Sequence, residues 1–197
     1  MNKVQTLAGY FHEYQKSVAQ PEEFWSRIAE SFHWDKKWDK TLEWNFEKPD
    51  VKWFINGKLN ITESIFERNL FTLGDRAAII WMVPEAAIAM LACARVGAVH
   101  SVVFAGFSAS ALADRITDCE AKVILTSDGN YRGAKTIDVK GVVDEALEMS
   151  KVAEKVIVLK RTGSEVNMKP GRDVWWHDAI EGVSEDNKAE IVDSEDM

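Results

Sequence analysis

Two rhythms of apolar and polar positions follow one another between Pro84 and Lys135, and the switch between them predicts the architecture. Pro84 suits a first helical position, Glu85 complements the positive helix end, and Gly97 falls where a left-handed cap is wanted. Ala98 to Phe104 is then a short apolar run with two adjacent valines, the pattern of a strand buried on both faces. Ser108 is placed to cap a second helix, in which Leu112, Ile116 and Cys119 share one stripe. Val123 to Thr126 reads as the next strand. Such alternation predicts an α/β fold: a mostly parallel sheet with flanking helices. Ligands of such sheets sit beyond the carboxyl ends of the strands. The segments there are Phe104–Phe107 and Asp128–Lys135.

Upstream, Leu7, Tyr10, Phe11, Tyr14 and Val18 repeat at helical spacing, and Pro21, Glu22 and Glu23 open a second helix that turns Phe24, Trp25, Ile28 and Phe32 inward. From 34 to 58, Trp34, Trp38, Trp44 and Trp53 are scattered among charges without a sustained period. That predicts an irregular belt anchored by indoles. Ile61, Ile65, Phe66 and Leu70 mark a short helix, and Arg76 to Trp81 a strand. Downstream, Val142, Val143, Ala146, Leu147 and Met149 predict a helix, Val156 to Leu159 a strand, and Arg161–Ser164 a turn. Pro170, Gly171 and the Trp175–Trp176 pair suggest a short closing helix under a loop. The expected division is a helical and irregular Trp-rich extension over 1–70, an α/β subdomain over 71–182, and a mobile acidic tail over 183–197.

The charge balance narrows the partners. Among 197 residues, 24 Lys and Arg face 32 Asp and Glu, a net charge of −8. That argues against a general nucleic-acid or anionic-membrane surface but leaves room for a local basic pocket. The acids interleaved with the tryptophans weigh against single-stranded nucleic acid as well. No run is apolar enough to span a membrane, no signal peptide opens the chain, and a cytoplasmic location is expected. Cys93 and Cys119 fall on apolar helix faces and read as buried free thiols. His12, His33, His100 and His177 match no metal-ligand spacing, so no metal site is expected.

One segment looks chemical. Gly129-Asn-Tyr-Arg-Gly-Ala-Lys-Thr136 follows a strand and precedes a helix, one residue short of G-x-x-x-x-G-K-[ST], with Ala134 in place of the second glycine. Two glycines let backbone N–H groups turn inward around an anion, Arg132 adds a planar donor fork, and Lys135 adds a mobile charge. The same residues also suit an ordinary solvated turn with two surface cations. A phosphate loop of the ATPase kind fits less well, because the Ala134 methyl lies where a phosphate would approach the backbone.

Three strings carry a specific resemblance: WDKTLEWNFEKPDVKWFINGKLNI, PEAAIAMLACARVGAVHSVVFAGFS, and VIVLKRTGS with the following GRDVWW. Together they resemble the AMP-forming acetyl-CoA synthetases of the adenylate-forming superfamily, in order over nearly the whole chain. The resemblance implies a two-step ligase. Acetate and ATP-Mg give acetyl-adenylate and pyrophosphate, and the CoA thiol then displaces AMP. In that family the adenine of CoA stacks on the phenylalanine of a F-x-G-F turn, beside its glycine; here these are Phe104 and Gly106. An R-G-[GA]-[RK] loop meets the CoA 3′-phosphate; here it is Arg132, Gly133, Ala134 and Lys135. Coenzyme A is thus the implied substrate, with acetate and ATP as the family's other reactants.

Two departures shape the expectation. The chain stops at Met197, before the Ser/Thr/Gly-rich loop that would carry the ATP phosphates, so no catalytic residue is expected within it and no activity from it alone. After Trp81 the family continues through a crossover unit before reaching the Pro84 helix, whereas here Met82 and Val83 follow at once. Without that crossover, the strand expected over Ala98–Phe104 loses a neighbour and the sheet exposes an apolar edge. A non-catalytic module that binds CoA or a nucleotide, or docks on a partner, is the alternative.

Overall fold

A computed structural model describes residues 4–75 and 85–196. In chain order its elements are α1 (Leu7–Ala19), α2 (Pro21–Ala29), β1 (Lys40–Asn45), β2 (Asp50–Ile55), β3 (Lys58–Leu59), α3 (Ile61–Ile65), α4 (Glu67–Leu73) and α5 (Glu85–Arg95). They continue with α6 (Ala109–Asp118), β4 (Val123–Ser127), β5 (Asn130–Arg132), β6 (Lys135–Ile137), α7 (Val139–Met149), β7 (Lys155–Leu159), β8 (Asp173–Trp175), α8 (Trp176–Ile180) and β9 (Val192–Asp193). These divide into two units, Met1–Val99 with Lys188–Met197, and His100–Asn187. The strand expected over Arg76–Trp81, the Pro84 helix start and the junction at Trp81–Met82 lie outside the described residues.

In the first unit, α1 and α2 form where the periodicity places them. Thr6 caps α1 through Gly9, and Pro21 opens α2. The α1 stripe does not turn inward, however. Leu7 is 71% exposed, and Tyr10, Phe11, Tyr14 and Val18 are exposed beside it. Periodicity reports which residues share a face; only a packed neighbour buries them.

The tryptophan belt is also more regular than expected. β1 and β2 form an antiparallel hairpin that pairs Leu42 with Trp53 and Trp44 with Val51. Its alternation was masked by charged residues on the solvated positions. Trp34, Trp38 and Phe54 make a cluster with ring centroids 4.8 to 5.5 Å apart. The tail is paired too: β9 runs antiparallel to β3, and the Ser194 hydroxyl donates to the Phe54 carbonyl at 2.7 Å.

The second unit holds the parallel sheet. β4 pairs with β7 and β7 with β8, both parallel, in the order β4-β7-β8. Helices α6 and α7 pack together, and their Ala109, Ala113, Ile116, Val143, Ala146 and Leu147 close over Val156 and Val158 of β7. Ser108 caps α6 through the amide of Ala111, as expected. Cys119 departs from expectation: it caps the far end of α6 and is exposed, and both thiols are free.

A network of charges ties α7 to β8. The fully buried Lys140 ammonium lies 2.8 Å from Asp144 and 2.9 Å from Asp173, and donates to the Asn167 carbonyl at 2.9 Å. Arg172 pairs with both carboxylates. Two cations and two anions therefore neutralise one another in a dry site, the condition under which buried charge is tolerated.

The largest correction concerns Ala98–Phe104. It forms no strand, and Val99, Val102 and Phe104 are exposed. An apolar run becomes a buried strand only when a ladder partner satisfies its backbone; none of the described strands pairs with it. Gly97 does adopt the left-handed conformation expected of it, with φ 66°.

Candidate functional site

Two turns of the second unit carry the residues singled out in the sequence. In the first, the amide of Phe107 donates to the carbonyl of Phe104 at 3.2 Å, closing a tight turn just ahead of Ser108. The Phe104 ring folds back over Gly106, and a Cβ built at Gly106 would meet its Cε1 at 2.6 Å. Any side chain there would displace the ring from this position. One edge of Phe104 meets Phe107 at a centroid distance of 6.5 Å and an interplanar angle of 81°. Phe107 in turn carries the Arg115 guanidinium 4.3 Å above its face. Phe104 itself is 77% exposed, an aromatic face held in place from one side and open to solvent.

The second turn differs from its sequence-based reading. Residues 129–136 do not wrap an anion at the start of a helix. They form a β-hairpin, β5 to β6, in which Arg132 is paired with Lys135 and Gly133-Ala134 is the two-residue loop. Gly133 has φ 63°, the left-handed geometry such a tight hairpin needs at its first central residue. Helix α7 begins only at Val139, capped by Asp138 through Gly141. The ATPase-like phosphate loop is thereby excluded.

The hairpin sets the two cations directly opposite each other on one face. Cross-strand partners stand about 5 Å apart at Cβ, and like charges so placed repel. Both residues are exposed, and neither side chain has a hydrogen bond or ion pair among the described residues.

The backbone anion nest predicted for 129–133 exists one loop away and is already filled. Asp128, fully buried at the end of β4, accepts from the amides of Arg161 at 2.8 Å, Thr162 at 2.9 Å and Gly163 at 2.7 Å. Burial pulls its pKa up, but these backbone donors outweigh burial and hold the carboxyl below its usual value. Thr162 and Ser164 link their hydroxyls at 2.8 Å. The sequence signalled this turn through Gly163, which has φ 74°, but gave no pattern tying it to Asp128.

Other groupings were weighed. His33, Asp35 and Glu63 bring one donor atom each within 4.8 Å of one another, but His33 and Asp35 are exposed and the spacing is wide for a bound ion. Two concavities are lined by Asp114, Arg115, Thr117 and Asp118, and by residues around His33 and Glu63; neither is lined by Phe104, Arg132 or Lys135. No helix among the described residues is long and apolar enough to cross a membrane.

Comparison with known proteins follows this geometry. Residues 72–197 match the family described as AMP-binding enzyme. The chain belongs to that family. Residues 10–65 of this AMP-binding family member match the family described as acetyl-coenzyme A synthetase N-terminus.

Acetyl-coenzyme A synthetases from Bdellovibrio bacteriovorus and Syntrophobacter fumaroxidans are similar to it. The first is 37% identical over 234 residues, 96% of this chain and 36% of the relative. The second is 40% identical over 232 residues, 95% of this chain and 36% of the relative. The chain thus spans about a third of the length of these curated relatives. Their matched stretches exceed its own 197 residues, so the relatives carry residues there without a counterpart here. Acetoacetyl-CoA synthetase from Streptomyces lividans shares the fold, with a TM-score of 0.73 and 22% identity, covering 91% of this chain and 34% of that one.

Proposed function

We propose that this chain is the N-terminal portion of an acetyl-CoA synthetase and supplies part of its coenzyme A site. The substrate's adenine stacks on Phe104 beside Gly106, and its 3′-phosphate is met by Arg132 and Lys135 around Gly133 and Ala134. The observation that carries this reading is the hairpin's closing pair, two uncompensated cations held face to face at the rim of a parallel sheet. A dianionic phosphate relieves their repulsion, and the arginine fork accommodates two of its oxygens. Phe104 supplies an exposed π-face, which binds any purine and leaves selectivity to the phosphate.

The chemistry that joins acetate, ATP and CoA belongs, in this reading, to residues outside the chain. The 197 residues alone are expected to give no acetate-dependent exchange between ATP and pyrophosphate. Measurable exchange would relocate the chemistry.

The binding role is tested by calorimetric titration with CoA. Arg132→Ala and Phe104→Ala are each expected to lower affinity by about tenfold, the equivalent of ~1.4 kcal/mol. Unchanged affinity in both would detach the two turns from CoA and favour a module with another partner.

A further inference from the structure

We infer that Arg161 is a third cation of this anion site and helps select the phosphate group that distinguishes CoA from its dephosphorylated form. The inference rests on the CoA reading above and deepens it.

Arg161 follows β7, the parallel neighbour of β4, and the pairing of Ser127 with Leu159 brings the loops that leave these strands side by side. The two loops touch. A Cβ built on Gly129, which leads into the Arg132 hairpin, would meet the Thr162 hydroxyl at 2.7 Å and the Ile137 carbonyl at 3.2 Å. Asp128 fastens the arrangement, since its carboxylate holds the amide of Arg161 itself as well as those of Thr162 and Gly163. Arg161 therefore stands on a clamped turn against the foot of the hairpin.

Its side chain is unsatisfied. Nε is buried without a hydrogen-bond partner, and the guanidinium forms no ion pair among the described residues. A buried, unpaired guanidinium donor is costly, and in a native protein it calls for an explanation. Asp128, which holds the Arg161 amide, cannot supply one. Both oxygens of Asp128 are already occupied by backbone amides. In a chain with net charge −8, none of Arg132, Lys135 and Arg161 has an ion-pair partner among the described residues. An arriving phosphate offsets the repulsion, and the partly exposed guanidinium of Arg161 suits its geometry.

The test uses the whole chain, titrated with CoA, dephospho-CoA and adenosine 3′,5′-bisphosphate, as wild type, Arg161→Met, Arg161→Lys and Arg132→Met. Arg161→Met is expected to lose about tenfold in affinity for CoA and for the bisphosphate while binding dephospho-CoA as the wild type does. Arg161→Lys is expected to recover part of the loss. Ligand-free thermal melting should hold or rise in Arg161→Met, because the side chain has no partner to lose and its buried Nε is unsatisfied. Wild-type affinity for CoA in Arg161→Met, or equal losses for CoA and dephospho-CoA with a lowered melting point, would overturn the assignment. If Arg132→Met alone loses phosphate discrimination, only the role of Arg161 falls. If the wild type does not distinguish CoA from dephospho-CoA, the CoA reading falls with it.

Discussion

The side-chain amide of Asn60 reaches the carbonyls of Ala94 and Arg95 with its nitrogen, at 3.0 and 3.1 Å, and the Thr62 amide with its oxygen at 3.1 Å. It thereby caps the end of α5 and the start of α3 from a fully buried position. Asn60→Ala is expected to destabilise the chain by about 2–3 kcal/mol in chemical denaturation, through a lost cap and orphaned carbonyls. Only the fold reveals what surrounds this amide.

Asp173 makes a second prediction at the same scale. Burial pulls its pKa upward, but the Arg172 guanidinium, the Lys169 amide and Lys140 outweigh it and hold the carboxyl at about 2. An unfolded Asp titrates near ~3.9, so the stabilisation is present above that value and is lost as pH falls towards about 2. Denaturation midpoints followed from pH 5 to pH 2 should fall through that window. In Asp173→Asn the acid-dependent loss should shrink, from a baseline already lowered by up to roughly 3–5 kcal/mol because the buried Lys140 and Arg172 are left to share Asp144.

At the scale of elements, the β5–β6 hairpin carries a repulsion that the proposed phosphate contact would relieve. Opposed like charges cost a hairpin up to ~1 kcal/mol. Lys135→Thr removes one charge and adds a good strand former, so it should raise the unfolding free energy by a few tenths of a kcal/mol. CoA affinity should fall in the same variant. A variant that loses stability and affinity together would mark Lys135 as structural.

The elements also divide by how legible they were. β4 and β7 were readable because buried parallel strands are short apolar runs bounded by polar turns. β8 was not, since Asp173-Val-Trp175 is three residues long and is held by ladder bonds to β7 rather than by any pattern of its own. Ala98–Phe104 shows the converse error, an apolar run that pairs with no strand among the described residues. Arg132, Gly133, Ala134 and Lys135 were legible as a cationic turn. Their hairpin geometry was not, because glycine at the second position of such a string suits a helix-leading loop and a tight hairpin equally well.

For the whole molecule, unpaired apolar surface is the dominant feature. Val123 is 55% exposed on the sheet face opposite α6 and α7, with Leu125 and the α1 stripe also open. Parallel sheets are ordinarily covered on both faces, and the curated relatives are about three times as long as this chain. A dye that fluoresces on apolar surface should therefore brighten with the native chain before any denaturant is added. A dye-silent protein of native secondary structure would contradict the open faces.

The central claim, that a flat aromatic and a cluster of cations share one nucleotide-bearing thiol carrier, is tested most directly by the ratio of two dissociation constants. These are the constants for CoA and for dephospho-CoA, measured by calorimetry under one salt condition. The account predicts CoA binding at least tenfold tighter, with the advantage collapsing in Arg132→Ala. Equal affinities in the wild type would contradict it.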